Sequence, residues 1–142
     1  MIEIETRLQE LKATGLHRRT RLISGPQGPH VLLDGKPVYS CSQLAVWADG
    51  RSVQTVEGLM QKGQLDPLQK AFIEHDGPQC GFCTSGQLMS AKALLNHNAH
   101  PTADEVRAAM TGNICRCSNY NRYVESVMAA ASTLSTSARR KA

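Results

Sequence analysis

Two short cysteine motifs constrain this 142-residue chain more than any other feature of its sequence. Four of the five cysteines lie in them: Cys80 and Cys83 form a C-x-x-C motif, and Cys115 and Cys117 form a C-x-C motif. Both motifs lie where a predicted helix meets a loop, so the two pairs of thiolates can converge. Four converging thiolates hold either an iron–sulfur cluster or a zinc ion.

Spacing alone leaves the identity of this centre open. Structural zinc sites usually combine two C-x-x-C pairs, or one pair with histidines, whereas the second pair here is C-x-C. Arg116 lies between the cysteines of that pair, and a positive charge suits a cluster with net negative charge. Iron–sulfur is favoured, and a zinc-stapled helical module with a structural or interaction role is the alternative. Buried free thiols and disulfides fit this pattern less well. A thioredoxin-like redox pair also fits less well, because no βαβ pattern accompanies the C-x-x-C motif.

The composition is that of a globular protein, with 41% apolar and 20% charged residues. The net charge of +4 is concentrated at residues 18–21 and 139–141. No aromatic residues are interleaved with these basic ones, so nucleic-acid binding is not expected. No apolar run approaches the roughly 18 residues of a membrane-spanning helix. The N-terminus lacks the apolar centre of a signal peptide, so we expect a cytoplasmic location, or export together with a partner that carries a signal.

No catalytic residue is predicted, because the chain shows no nucleophile or acid–base pair at a recognisable spacing. The histidines are scattered over predicted loops and helix ends, where exposure to solvent is expected: His17, His30, His75, His97 and His100.

The sequence predicts an α+β chain, with short strands in its first half and helices in its second half. Apolar or alternating runs predict strands at residues 31–33, 38–41, 44–47 and 52–56. The first two are joined by a turn at 34–37, which makes a hairpin. This β-rich region is too short to form an independent sheet domain.

Four helices with short connections are predicted after residue 58. Asp66 caps the first helix, which ends near residue 75, and Thr84 or Ser85 caps the second. A capping box begins the third at Thr102. The fourth spans about 119–133, and an antiparallel bundle would bring the two cysteine motifs to the same end. The apolar stripe of the fourth helix is predicted at Tyr120, Val124, Val127, Met128 and Ala131.

Two stretches resemble a known family. Residues 77–86, with the run G-P-Q-C-G-F-C-T-S-G, and residues 115–120, with C-R-C-S-N-Y, resemble the second [2Fe–2S] domain of the xanthine dehydrogenase/aldehyde oxidoreductase family of molybdenum hydroxylases. Residues 33–45 and 55–59 resemble the end of the family's first domain, which is plant-ferredoxin-like (β-grasp). The resemblance covers about residues 31–131.

The resemblance implies that Cys80, Cys83, Cys115 and Cys117 ligate one [2Fe–2S] cluster. It also implies that Gln79 hydrogen-bonds the molybdopterin of a large partner subunit, with Cys117 the ligand nearest to that cofactor. An FAD-binding subunit is the further partner that the family suggests. The chain would then relay electrons from the molybdopterin centre after oxidation of an aldehyde or N-heterocycle. Ser85 replaces the family's proline after C-G-F-C-T, a departure that leaves all four ligands in place.

The larger departure lies upstream, where the family takes three ligands of a first cluster from a C-x-x-x-x-C-G-x-C loop. This sequence has no cysteine before Cys41, which matches the fourth ligand. One cysteine cannot hold a [2Fe–2S] cluster. We therefore predict that the first cluster is absent and that Cys41 is a free thiol, the remnant of a lost site. Either the loss of this loop is genuine, or residues 1–30 come from an altered reading frame or a misplaced start.

These observations predict three segments. Residues 1–57 are the remnant of a ferredoxin-like domain, of which 1–30 remain unassigned. Residues 58–134 form a four-helix [2Fe–2S]-binding domain, and residues 135–142 form a basic tail.

Overall fold

The computed structural model describes residues 30–139, together with Thr6, Gln9 and Ala13, which have helical backbone. Predictions about the remainder of residues 1–29 and about residues 140–142 lie outside the described residues. No helix in the described part of the chain is long and apolar enough to cross a membrane.

A small antiparallel sheet comes first in the described chain. It consists of β1 (His30–Leu33), β2 (Lys36–Tyr39) and β3 (Val53–Gln54), in the order β2-β1-β3. Asp34 and Gly35 form the turn between β1 and β2, with φ angles of 49° and 79°. Aspartate followed by glycine favours this left-handed two-residue turn, which matches the twist of the strands. The predicted hairpin is therefore confirmed.

Three of the four predicted strands need correction. The strand predicted at 44–47 is wrong, because Ala45–Ala48 forms a 3₁₀ helix in which Trp47 N–H donates to Leu44 O at 2.9 Å. The returning strand ends at Tyr39, and Ser40–Ser42 forms a second 3₁₀ turn that contains Cys41. The last predicted strand is shortened to β3. Apolar side chains that suggested a strand are exposed here, as Val46 is at 73%, so no buried sheet face supports an extended backbone.

The four predicted helices are present: α1 (Pro67–Glu74), α2 (Thr84–His97), α3 (Ala103–Met110) and α4 (Tyr120–Arg139). Asp66 and Thr102 each form a complete capping box, as Asp66 Oδ1 accepts from Leu68 N–H and Thr102 Oγ1 accepts from Glu105 N–H. The predicted cap at Thr84 or Ser85 is wrong, because Cys83 occupies the N-cap position and makes no side-chain capping bond. The fourth helix continues beyond residue 133 to Arg139.

The core lies around α2, which packs against β1 on one side and against the other helices on the rest of its surface. Leu68, Phe72 and Met89 are almost completely buried there, and each such side chain stabilises the fold by about 1.5–3 kcal/mol. The buried face of α4 differs from the predicted stripe by about one residue. Its buried members are Tyr123, Ser126, Val127, Ala130 and Ala131.

Candidate metal centre

The two cysteine motifs meet in the fold. Cys80 lies in the loop after α1 and Cys83 at the start of α2, whereas Cys115 and Cys117 lie in the turn before α4. Cys80 and Cys117 are close enough to shift each other's pKa by hydrogen bonding, and so are Cys83 and Cys115. The four predicted ligands are therefore brought together as two pairs.

A two-iron cluster needs this kind of donor set, because each iron takes two thiolates. Over residues 30–139, no three histidine, cysteine or carboxylate side chains surround a single point closely enough to hold one metal ion. The candidate metal ligands in the structure are therefore the two pairs of cysteines, Cys80 with Cys117 and Cys83 with Cys115. All four sulfurs are free thiols and so are available as ligands.

In each pair, one thiol has a lowered pKa and the other a raised pKa. The Phe82 N–H lowers the pKa of Cys80, and the Cys117 thiol adds to that effect. The pKa of Cys117 is raised: the Cys80 backbone N–H lowers it, but the Cys80 side chain and burial outweigh that effect. In this pair, Cys80 therefore ionises more easily than an ordinary cysteine, whereas ionisation of Cys117 is disfavoured. A bound cation removes that penalty, because metal binding is coupled to loss of the thiol protons.

The second pair shows the same asymmetry in a more buried setting. Burial is the largest influence on Cys115 and raises its pKa, yet the net shift is downward because the Asn119 N–H, the Cys83 thiol and two further N–H groups lower it. Burial also raises the pKa of Cys83, against hydrogen bonds from Tyr123 and Gln87 that lower it. Backbone N–H groups thus prepare the Cys115 site for a thiolate before any metal binds.

The turn that carries Cys115 is held by hydrogen bonds to its neighbours. The Cys115 N–H donates to Tyr120 Oη at 2.8 Å. The buried Asn113 accepts from Gln87 Nε2 at its backbone oxygen, at 3.2 Å, and its Nδ2 donates to Ser90 Oγ at 2.9 Å. These contacts tie the turn to α2. They matter because a cavity of about 390 Å³ borders the turn and leaves less side-chain packing to fix it.

The loop that carries Cys80 is tied to the start of α4. Asn119 Nδ2 donates to Asp76 O at 2.8 Å and also to Gly77 O. Gly77 is buried and lies against Tyr123 and Ser126. The two cysteine-bearing segments therefore share one set of supporting contacts.

Sequence reasoning did not find the residues that support the cysteines. Gln87 and Tyr123 are 0% and 1% exposed, and Tyr123 Oη lies 3.3 Å from Cys83 Sγ. A glutamine within an otherwise apolar helix face was one available indication, because a buried amide needs hydrogen-bond partners. The helical pattern put Tyr120 in the apolar stripe in place of Tyr123.

The comparisons with known proteins show the family of the region that carries the cysteines. Residues 55–128, which contain all four clustered cysteines, match the family model described as a [2Fe-2S] binding domain. The nicotine 6-hydroxylase small subunit of Paenarthrobacter nicotinovorans is 53% identical over 98 residues, which cover 69% of this chain and 59% of that subunit. The chain belongs to the iron–sulfur small subunits of the xanthine dehydrogenase/aldehyde oxidoreductase family.

Solved structures with this fold include other oxidoreductases. Quinoline 2-oxidoreductase from Pseudomonas putida 86 matches with a TM-score of 0.69 and 45% identity, over 73% of this chain and 65% of that chain. Aldehyde oxidoreductase from Desulfovibrio gigas matches with a TM-score of 0.72 and 43% identity, over 76% of this chain and 12% of that chain. The chain spans about three fifths of the length of the first curated relatives it matches.

Membership of this iron–sulfur family confirms the resemblance drawn from the two cysteine motifs and supports an iron–sulfur cluster at the site. The α+β class is confirmed by the three strands and four helices of the described chain. The ferredoxin-like character of the first part stays a prediction.

The other predicted site residues lie apart from the four cysteines or at the surface. Gln79 is exposed next to Cys80. Cys41 is exposed in its 3₁₀ turn, with its Sγ 3.9 Å from Ser42 Oγ. Of the histidines whose side chains are described, His97 and His100 are exposed, as predicted, whereas His75 is half-buried.

Two large apolar side chains at the site face solvent. Phe82, inside the C-x-x-C motif, is 93% exposed, and Ile114, just before the C-x-C motif, is 84% exposed. Arg116, which directly precedes Cys117 in the chain, is also exposed. The surface around the cysteines is therefore apolar with a positive charge.

Proposed function

We propose that this chain is the electron-transfer subunit of a multi-subunit molybdenum hydroxylase. In this proposal, Cys80, Cys83, Cys115 and Cys117 hold one [2Fe–2S] cluster, which supplies a one-electron relay when bound. Cys80 with Cys117 and Cys83 with Cys115 would be its two pairs of ligands. The observation that carries the proposal is the meeting of four thiols as two pairs within a region that matches a [2Fe-2S] binding domain.

The chain's own residues prepare the site for a negatively charged cluster. N–H groups near Cys80 and Cys115 stabilise their thiolates, and the exposed Arg116 adds a positive charge. Hydrogen bonds to ligand sulfurs and nearby charge are the means by which a protein sets the reduction potential of such a cluster. Burial of Cys115, which is 6% exposed, limits access of water to one side of the site.

The partner in this proposal is a large molybdopterin-binding subunit, which docks over the exposed cysteine loop. Phe82 and Ile114 supply apolar contacts there, since exposed aromatic and aliphatic groups of this size commonly mark an interface. The exposed Gln79 would hydrogen-bond the molybdopterin, with Cys117 the ligand nearest to it. The Desulfovibrio relative supports a large covering partner, because the matched region is 12% of that single chain.

Oxidation of the substrate takes place on that partner in this proposal, and an FAD-binding subunit is the further acceptor. The substrate class is an aldehyde or an N-heterocycle. The names of the relatives support both, as they include a nicotine hydroxylase, a quinoline oxidoreductase and an aldehyde oxidoreductase. We propose a cytoplasmic complex, alone or exported with a signal-bearing partner.

The proposal includes a single cluster. No cysteine precedes Cys41 in the sequence, so a second cluster of the ferredoxin type lacks its ligands. The relay would therefore be shorter than one with two clusters.

Co-expression with the large subunit tests the electron-transfer role. The purified complex is treated with a panel of aldehydes and N-heterocycles, and the EPR signal of a reduced [2Fe–2S] cluster is recorded, with dithionite as the control reductant. We expect at least one substrate to produce the signal that dithionite produces. A colourless preparation with stoichiometric zinc, or a cluster that only dithionite reduces across the panel, would overturn the proposal.

A further inference from the structure

The Tyr123 hydroxyl is buried beside one of the cysteine sulfurs. Its oxygen lies 3.3 Å from Cys83 Sγ, and the residue is only 1% exposed. In the free protein either atom can donate. A cysteine that ligates a metal has lost its proton, so in the loaded site the hydroxyl must be the donor and the sulfur the acceptor.

Two contacts hold the tyrosine ring in this position. Its centroid lies 5.3 Å from that of Phe72, at an interplanar angle of 40°. Gly77 lies so close that a Cβ there would meet Tyr123 Cδ1 at 3.4 Å. The residue itself belongs to the first turn of α4. A ring packed in this way keeps its hydroxyl directed at the sulfur.

A second hydroxyl near Cys83 provides a contrast. Thr84 follows Cys83 in the chain, and its Oγ1 is buried and makes no hydrogen bond to the sulfur. It lies near enough to the Tyr123 hydroxyl to lower the pKa of that group. The two hydroxyls are thus neighbours, and only that of Tyr123 contacts the sulfur. This difference supplies a matched control.

We propose that Tyr123 is a positioning residue that raises the reduction potential of the cluster through its hydrogen bond to Cys83. The inference rests on the proposed function, since it requires the [2Fe–2S] cluster. Reduction adds one electron and breaks no bond, and the proton stays on the tyrosine oxygen. The added negative charge spreads over the sulfurs, so a hydrogen-bond donor stabilises the reduced state more than the oxidised state. Burial of Tyr123 strengthens the effect because water does not compete for its hydroxyl.

Replacing Tyr123 with phenylalanine tests this inference. Tyr123→Phe keeps the ring and removes the donor, so the midpoint potential of the cluster should shift to a more negative value. The equilibrium constant for reduction should fall by roughly tenfold, which for one electron corresponds to about 59 mV. The measurement is an EPR-monitored redox titration of the complete complex, with the iron content of each variant determined in parallel.

Two further variants separate the hydrogen bond from a general effect on packing. Thr84→Val removes a buried hydroxyl that does not contact the sulfur, and it should shift the potential by much less than Tyr123→Phe does. Site-specific 3-fluorotyrosine at position 123 makes the hydroxyl a stronger donor and should shift the potential to a more positive value. This variant also provides a readout if Tyr123→Phe does not retain iron.

An unchanged or more positive potential in Tyr123→Phe would overturn the inference, as would a negative or zero shift with the fluorinated residue. A shift in Thr84→Val as large as that in Tyr123→Phe would also overturn it. Failure of the proposed function looks different, because the wild-type complex would then show no [2Fe–2S] signal to titrate.

Discussion

The backbone N–H of Cys115 donates a 2.8 Å hydrogen bond to the hydroxyl of Tyr120, at the first position of α4. This bond fixes the turn that presents Cys115. We expect Tyr120→Phe to increase the rate of iron loss to a chelator about tenfold, because removing a group that orients a metal ligand commonly costs 10- to 100-fold in affinity. Asn121→Ala, at an exposed position of the same helix, is the control and should retain the wild-type rate. Equal rates for the two variants would contradict this role of Tyr120.

Asn113 connects the same turn to α2. Its side chain donates to Ser90 Oγ and Met110 O, and its backbone oxygen accepts from Gln87. Asn113→Ala leaves buried partners unsatisfied, so we expect the free energy of unfolding to fall by about 1–3 kcal/mol. Urea denaturation followed by circular dichroism measures this change. Asn121→Ala, at an exposed position of α4, should change stability by less than about 0.5 kcal/mol, and a similar loss in both variants would argue against the network.

Gly77 is packed too tightly to accept a side chain. A Cβ at this position would lie 3.1 Å from Phe72 O and 3.2 Å from Ser126 Oγ. We expect Gly77→Ala to destabilise the protein by about 1–3 kcal/mol through overpacking. It should also displace Tyr123 and so alter the visible spectrum of the bound cluster.

Gly58→Ala is the control for that substitution, because a Cβ there meets only Gln54 Cγ, at an ordinary 3.7 Å. Its unfolding midpoint and spectrum should match those of the wild type. A Gly77→Ala variant as stable as Gly58→Ala would show that the loop before Cys80 can accept a Cβ at position 77.

In this account four of the five cysteines are ligands and Cys41 is not. Cys83→Ser or Cys115→Ser should abolish iron binding and destabilise the helical part, because formation of a metal site is coupled to folding. Cys41→Ser should retain both iron and stability, since Cys41 is exposed and its thiol contacts only the neighbouring Ser42 among the interactions described. Iron analysis and thermal unfolding measure the two effects. Loss of iron in Cys41→Ser would mean that the first part of the chain holds a cluster after all.

Sequence patterns predicted the elements whose causes are local. The turn at Asp34 and Gly35 follows from the conformational freedom of those residues, and the starts of α1 and α3 follow from capping boxes at Asp66 and Thr102. The four clustered cysteines were found because their spacing is itself the chemical requirement. Each of these features depends on residues within a few positions of one another.

Features that depend on tertiary contacts were missed or wrongly predicted. Residues 44–47 have the composition of a strand, yet no neighbouring strand pairs with them and they form a 3₁₀ helix. On α4, the pattern wrongly placed Tyr120 in the buried stripe and left out Tyr123. Tyr120 is 45% exposed and bonds the Cys115 backbone, whereas Tyr123 is buried against Cys83. Both are tyrosines at plausible core positions, and only the packing of α1 and Gly77 decides between them.

Iron and sulfide analysis of the purified complex tests the central claim most directly. The claim is that Cys80, Cys83, Cys115 and Cys117 together hold one [2Fe–2S] cluster, and that this chain holds no second cluster. We predict two irons and two acid-labile sulfides per copy of this chain, with one reduced-state EPR signal. Four irons per copy, or zinc in place of iron, would contradict the account.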